Sequence, residues 1–198
     1  LKAGKVSING RVVSDLSTEV KDSDKVRIGS RLIKLKKEFS MIVYNKQKGE
    51  LVTKKDDRGR KTIYDILPRG FSKFISVGRL DYASEGLLLL TDAPAIAQAL
   101  INSDIEREYY LKIKGEITEQ VINAMREGFF AKDATKGAHA KTKQISMEFK
   151  PFLAYKIISQ SGGYTRLKVI ISEGQNRELR RFFGYFDLEV MDLKRVSF

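Results

Sequence analysis

The 198-residue chain contains no cysteine and a single histidine. The absence of cysteine excludes disulfides, thiolate nucleophiles and cysteine-ligated metals. One histidine cannot form the cluster used by zinc and iron sites, and a Ser-His-Asp triad would depend on His139 alone. Because only glycine and alanine flank His139, we interpret it as a surface or loop histidine. These absences remove thiol chemistry and most metal chemistry from consideration.

Long apolar runs are absent as well. No segment approaches the roughly 20 apolar residues of a membrane-spanning helix, so we expect no membrane association. The composition, 42% hydrophobic and 31% charged, is sufficient to bury a core. The lack of cysteine fits a reducing compartment, and we expect a cytoplasmic protein. The chain starts at Leu1 without Met, in a segment typical of a helix end running into a strand, so we expect further residues upstream.

Positive charge is concentrated in the first part of the chain. The net charge is +12, with 20 Lys and Arg against 9 Asp and Glu in residues 1–80, and 17 against 16 in residues 81–198. Such asymmetry indicates a polyanionic partner. Nucleic acid is favoured over a membrane surface because no long basic amphipathic helix is present. A solvated basic surface is the alternative interpretation.

The sequence predicts a short basic unit, a linker and a larger mixed unit. Residues 1–36 contain an Asn9-Gly10 turn between β-branched residues, which predicts a hairpin. Residues 37–40 are the predicted linker. In residues 41–198 strands outnumber helices without regular alternation, which favours an α+β fold with a largely antiparallel mixed sheet flanked by helices.

Local patterns place the elements of the larger unit. Strands are predicted over 40–45, 74–77, 86–90, 108–114, 145–149, 154–159, 165–171 and 189–198. Helices are predicted over 62–67, 93–101, 118–127 and 175–186, with Asp92 as the cap of the second. The stretch 54–61 is predicted to be an exposed basic loop, and 131–144 a mobile one.

A conspicuous carboxylate, Asp81, lies between Arg79 and a run of four leucines. A carboxylate beside a cation can act as a nucleophile or a base, and the cation favours its ionised form. The strand that follows is too apolar to lie on the surface, so a rigid element holds this group. The alternative is a turn or cap residue, the commonest use of an isolated aspartate.

Two further segments carry candidate side chains. Alternation along 107–114 directs Tyr109 toward the core, where a phenol can stack on a base; an ordinary core tyrosine is the alternative. In 171–183 a strand turns at Gly174 into a helix. The helical spacing of Arg177, Arg180 and Arg181 predicts one shared side. That side could grip phosphate or pair with a carboxylate, and a solvated basic face is the alternative.

These segments resemble the signatures of the bacterial ribosomal-RNA pseudouridine synthases of the small-subunit and large-subunit family. Residues 78–91 match Gly-Arg-Leu-Asp, two variable residues, Thr or Ser, Glu-Gly, four mostly leucine positions and Thr nearly throughout. Arg107, Tyr109 and Leu111 fit a second, weaker signature. Residues 173–181 are similar to a third, with Glu178 where Gln is common. Residues 45–49 lack the proline of a fourth.

The resemblance implies an S4-type RNA-binding domain over residues 1–36, with its leading helices mostly absent, and a catalytic domain over 41–198. It implies conversion of uridine to pseudouridine in rRNA, with the nucleotide flipped out and neither metal nor cofactor. Asp81 would attack the nucleotide, Tyr109 would stack on the base, and Arg180 would pair with the aspartate. RNA contacts are expected at Arg79, Lys5, Arg11, Lys46, Arg177 and Arg181.

The expected partner is 23S rather than 16S rRNA, free or in an assembling ribosomal subunit, and we expect the chain to act as a monomer. Two rival interpretations stay open. One is a non-catalytic RNA-binding protein in which Asp81 is structural. The other is a carboxylate-dependent glycosidase, which would need a second carboxylate roughly 5–10 Å away; Glu85 is the candidate, although the basic N-terminal half favours RNA.

Overall fold

The computed structural model describes residues 4–21, 23–33 and 38–198. The chain divides into two compact units, Leu1–Phe39 and Ser40–Phe198. The helix end predicted at the first residues and the start of the linker predicted over 37–40 lie outside the described residues. Within the described ranges, no helix has the length and apolarity that crossing a membrane would require.

The first unit contains a four-stranded antiparallel sheet of two hairpins. Its strands are β1 (Val6–Ile8), β2 (Arg11–Val12), β3 (Val26–Ile28) and β4 (Arg31–Ile33), in the order β2-β1-β3-β4. Asn9 and Gly10 form the predicted turn, with φ of 50° and 85°, as a two-residue hairpin loop requires. Lys5 and Arg11 are exposed, so both are accessible to RNA. The S4-type assignment of this unit stays a prediction.

The second unit is built on a seven-stranded sheet. Its strands are β5 (Met41–Lys46), β6 (Ile75–Ser76), β7 (Glu85–Thr91), β8 (Arg107–Lys114), β11 (Ala154–Ser161), β12 (Tyr164–Ile171) and β13 (Glu189–Ser197). Six follow the order β11-β12-β8-β13-β7-β5, and β6 pairs with β7. Only the β13–β7 pair is parallel. The predicted α+β class with a largely antiparallel mixed sheet is confirmed.

Strand β7 places the candidate site. One of its edges pairs with β5 along residues 86–91. The other edge is divided, since β13 pairs at Glu85 and Gly86 and β6 pairs at Leu90 and Thr91. The segment 77–84, which contains Asp81, joins β6 to β7. It therefore enters the sheet where β13 and β7 meet.

Gly86 allows the parallel contact between β7 and β13. Its φ is +103°, and a Cβ built on it would lie 2.1 Å from the Arg195 carbonyl oxygen. A side chain at this position would collide with backbone, which cannot rotate away. The close approach of β13 to the start of β7 therefore depends on glycine.

Helices and a short antiparallel strand pair accompany the sheet. They are α1 (Pro94–Ile101), α2 (Glu119–Glu127), α3 (Glu178–Tyr185) and the antiparallel pair β9 (Phe129–Ala131) and β10 (Met147–Phe149). Met125 of α2 and Phe182 of α3 are fully buried in one cluster with Leu111 and Ile113 of β8. The core face predicted for β8 is confirmed, because its residues alternate in burial.

Several predicted elements differ in detail. The helix predicted over 62–67 is a short 3-10 turn, Ile63–Asp65. The helix predicted over 175–186 begins only at Glu178, because Arg177 adopts a left-handed conformation with φ of 53°. Ala93, not Asp92, is the N-cap of α1; the Asp92 Oδ1 atom accepts the Ser40 backbone N–H at 2.9 Å. Strand β9 was not predicted.

Candidate active site

Asp81 lies in a tight turn that a buried lysine fixes in place. The Ser84 N–H donates to the Asp81 carbonyl at 3.0 Å. Lys46, fully buried at the end of β5, donates from Nζ to the carbonyls of Asp81 at 3.0 Å, Ser84 at 2.7 Å and Gln47 at 3.0 Å. Burial lowers the pKa of Lys46 to about 8, while the nearby carboxylates of Glu50, Asp81 and Glu85 oppose the shift. The Lys46 ammonium thus ties the backbone of the turn at Asp81 and Ser84 to the end of β5.

Two arginines surround the Asp81 carboxylate, whose side chain is 30% exposed. Arg177 Nη1 lies 3.3 Å from Asp81 Oδ2, and Arg180 Nε lies 3.8 Å from the same oxygen. Arg180 is anchored by bonds from Nη1 to the Val190 carbonyl at 2.8 Å and from Nη2 to Ser84 Oγ at 3.3 Å. Its Nε is buried without a hydrogen-bond partner, so a small shift would complete a bond to Asp81.

The predicted pairing of Arg180 with Asp81 is therefore present as an ion pair, and Arg177 approaches the same oxygen more closely. Burial lowers the pKa of Arg180, and the neighbouring Arg177 adds to that lowering. Two cations thus face one carboxylate that could serve as nucleophile or base.

Tyr109 and Asp81 line one open cavity of about 1000 Å³. Tyr109 is 6% exposed and lies on β8. The exposed Arg79 lies at the rim, as does His139, which sits in an exposed loop as predicted. Glu85, the second carboxylate that a glycosidase would need, is not among the residues that line this cavity. The space is large enough for a nucleotide.

Comparison with known proteins decides the family. A family profile described as RNA pseudouridylate synthase matches residues 40–185.

The chain belongs to the RNA pseudouridylate synthase family.

Similar proteins support the same family assignment for this synthase. It is 50% identical over 204 residues to an uncharacterised RNA pseudouridine synthase of Helicobacter pylori, covering 100% of this chain and 78% of the relative. It is 30% identical over 200 residues to ribosomal large subunit pseudouridine synthase B of Bacillus subtilis, covering 100% and 77%. A crystal structure of a pseudouridylate synthase has the same fold, with a TM-score of 0.65, 24% identity and coverage of 98% and 77%. The synthase is accordingly an isomerase.

Two residues expected to contact RNA are instead structural. Lys46 and Arg181 are both 0% exposed, so neither offers a surface to a phosphate, and the prediction of RNA contact is wrong for them. Arg181 donates from Nε to the Ala134 carbonyl at 2.7 Å and from Nη2 to the Gln144 carbonyl at 2.9 Å. It fastens the loop predicted to be mobile to α3.

The expectation that three arginines share one side also fails. Arg177 precedes the helix and turns toward Asp81, and its Nε donates to the Gly137 carbonyl at 2.6 Å. Arg181 is fully buried and donates to the Ala134 carbonyl, so it does not join Arg177 and Arg180 at Asp81. Because the chain is not yet helical at Arg177, helical spacing does not apply to it.

Sequence reasoning assigned no site role to three buried charged residues in or beside the cavity. They are Arg107, Arg195 and Glu178, at 6%, 3% and 5% exposure. Arg107 belongs to the same short signature as Tyr109, so one signal existed for it. Arg195 is brought opposite Tyr109 only by the register of β13 on β8, which the sequence does not specify.

Glu178 is a carboxylate that is almost completely buried. It opens α3, and its Oε2 accepts the Gln175 backbone N–H at 2.9 Å. Burial raises the pKa of Glu178 to about 7, although that hydrogen bond opposes the shift. The folded protein therefore holds this proton in a pH range in which the unfolded chain has released it.

Replacing Glu178 with Gln should stabilise the protein at high pH. The folded pKa is raised, so the stability of the wild type falls as pH rises from about 4.5 to 7. An amide keeps the acceptor for Gln175 and cannot ionise, so we expect Glu178→Gln to gain up to about 3 kcal/mol at pH 8 and nothing near pH 4.5. Urea unfolding at both values measures the difference. The exposed Glu106→Gln is the control, and a gain independent of pH would contradict the expectation.

Proposed function

We propose that this pseudouridine synthase isomerises a specific uridine of large-subunit ribosomal RNA, with Asp81 as the nucleophile. The observation that carries the proposal is the Asp81 carboxylate, fixed by Lys46 and faced by Arg177 and Arg180, in a cavity that Tyr109 also lines.

The reaction needs groups of the kind that this cavity offers. Uridine and pseudouridine are isomers: the bond from C1′ to N1 breaks, one from C1′ to C5 forms, C5 loses a proton and N1 gains one. No atom or electron enters from outside, so the reaction needs no external oxidant, reductant or group donor, and we propose that it proceeds without cofactor or metal. Asp81 attacks C1′ as the bond from C1′ to N1 breaks, and the freed uracil rotates. When C5 bonds to C1′, the bond from C1′ to the Asp81 oxygen breaks and the carboxylate is restored.

The position of Asp81 inside a cavity, with its side chain only 30% exposed, implies base flipping. A uridine in folded RNA reaches the carboxylate only after leaving its stack, which costs a few kcal/mol. Tyr109 offers a stacking surface that offsets part of this cost, since a base and a phenol ring stack favourably. We infer that its hydroxyl moves a proton during reattachment.

The proposed RNA contacts beyond the cavity come from exposed cations. Arg79 lies at the cavity rim, while Lys5 and Arg11 lie on the first unit. Phosphate contacts of this type position RNA without reading its sequence. The choice of the large subunit is supported by the names of relatives such as the one from Bacillus subtilis.

Mapping of pseudouridines tests this proposal. In rRNA from cells that lack the gene, we expect one pseudouridine to be missing from 23S rRNA and to return when the wild-type gene is supplied. An Asp81→Asn gene should not restore it. Loss of a site from 16S rRNA alone would overturn the substrate assignment, and an unchanged map of both RNAs would overturn the function.

A further inference from the structure

Arg107 and Arg195 are two buried cations without an ion-paired carboxylate. They are 6% and 3% exposed, and in the described part of the chain neither has a carboxylate oxygen within 4 Å. Glu178 interacts electrostatically with Arg107, although no ion pair within 4 Å joins them. Buried charges are normally paired, because an unpaired one loses its hydration without compensation. Two like charges placed close together also repel each other, which adds to the cost of their lost hydration.

The groups in direct contact with these two arginines are neutral carbonyls and aromatic rings, and Tyr109 is one of them, beside Arg195. Arg107 Nη1 donates to the Ser172 carbonyl at 2.7 Å, and Arg195 Nε donates to the Leu87 carbonyl at 2.8 Å. Both guanidinium groups also lie over the Phe198 ring, at 5.1 Å and 4.8 Å from its centre. Arg195 Nη2 is buried and has no hydrogen-bond partner. A buried orphan donor on a cation calls for an acceptor that arrives with a ligand.

The positions of Arg107 and Arg195 define where that acceptor would lie. Arg195 is directly opposite Tyr109 in the register of β13 on β8, and Arg107 is two residues from Tyr109 on β8. All three line the cavity that contains Asp81. An anion on the two arginines would thus sit beside the tyrosine on which the target base is proposed to stack.

We propose that Arg107 and Arg195 form a phosphate site that holds a phosphate group attached to the target uridine. The inference rests on the proposed function, because it takes the cavity to be the uridine site. Guanidinium groups bind phosphate oxygens through paired N–H bonds, and a phosphate joined to the flipped nucleotide is the anion that enters with it. The site would fix the ribose while the uracil leaves, rotates and returns.

Binding of small nucleotides tests the site without the native RNA. Uridine, uridine 3′-monophosphate and uridine 5′-monophosphate are titrated into the full chain and followed by NMR chemical-shift changes. We expect one monophosphate to bind the wild type about tenfold or more tightly than uridine, since a charge-assisted hydrogen bond is roughly twice as strong as a neutral one. Arg195→Met and Arg107→Met should each lose this preference, and Arg195→Lys should keep part of it. Arg166→Met, at an exposed position on β12, should leave it unchanged.

Each outcome decides for or against the site. Equal binding of uridine and both monophosphates by the wild type would overturn the proposal, and this arm needs no folded variant. A phosphate preference that persists in Arg195→Met, with folding verified by circular dichroism, would overturn it as well and assign the arginines a structural role. The wild type could prefer a monophosphate while loss of its gene leaves the rRNA map unchanged. That result would support the phosphate site and reject the proposed function.

Discussion

Replacing Asp81 with Asn should abolish pseudouridine formation while leaving RNA binding intact. The amide fills the same space but cannot form a covalent bond through a carboxylate oxygen. We expect turnover to fall by about 10⁴-fold or more, as occurs when an essential nucleophile is removed. The backbone of residue 81 keeps its bonds to Lys46 and Ser84, so the turn should survive. Without the negative charge, Arg177 and Arg180 become freer to attract phosphate.

Release of tritium from RNA labelled at C5 of uridine measures this turnover, because the C5 hydrogen leaves during isomerisation. Electrophoretic mobility shifts measure RNA affinity in parallel. Asp187→Asn is the matched control, since Asp187 is exposed, pairs with Lys136 and lies away from the cavity; it should behave as the wild type. Turnover of Asp81→Asn within about tenfold of the wild type would exclude a nucleophilic role for Asp81. Absence of product from the wild type as well would favour the non-catalytic RNA-binding protein.

Replacing Gly86 with Ala should cause a large loss of stability. The new Cβ would lie 2.1 Å from the Arg195 carbonyl oxygen, and the φ of +103° is one that alanine rarely adopts. Strain of the backbone and separation of β13 from β7 together should cost about 3–5 kcal/mol of the free energy of unfolding. The same displacement moves Arg195 away from Tyr109, so activity should fall as well.

Urea unfolding followed by circular dichroism measures the loss by linear extrapolation. Gly70→Ala is the matched control, because nothing lies within 4 Å of a Cβ at Gly70. It should change stability by no more than about 0.5 kcal/mol. Equal unfolding midpoints for the two variants would mean that β7 and β13 separate without cost and would refute the close-contact argument.

The sequence by itself determined the elements whose signal is local. The Asn9-Gly10 hairpin and the alternating burial of β8 both follow from short-range backbone preferences and side-chain alternation. The motif around Asp81 could likewise be recognised, because its residues lie in one continuous segment. For that reason the fold class and the family could be predicted before any contact was known.

Tertiary structure alone decided the use of each cation. Lys46, Arg177 and Arg181 all read as basic residues available to RNA, yet Lys46 holds the Asp81 turn, Arg177 faces the carboxylate and Arg181 fastens a loop. A guanidinium or ammonium group has the same sequence signal whether it meets phosphate, carboxylate or carbonyl oxygen, because its partner is chosen by residues distant in the chain. Arg195 gives the same lesson: only the pairing of β13 with β8 brings it opposite Tyr109, and strand register depends on long-range packing that local sequence does not encode.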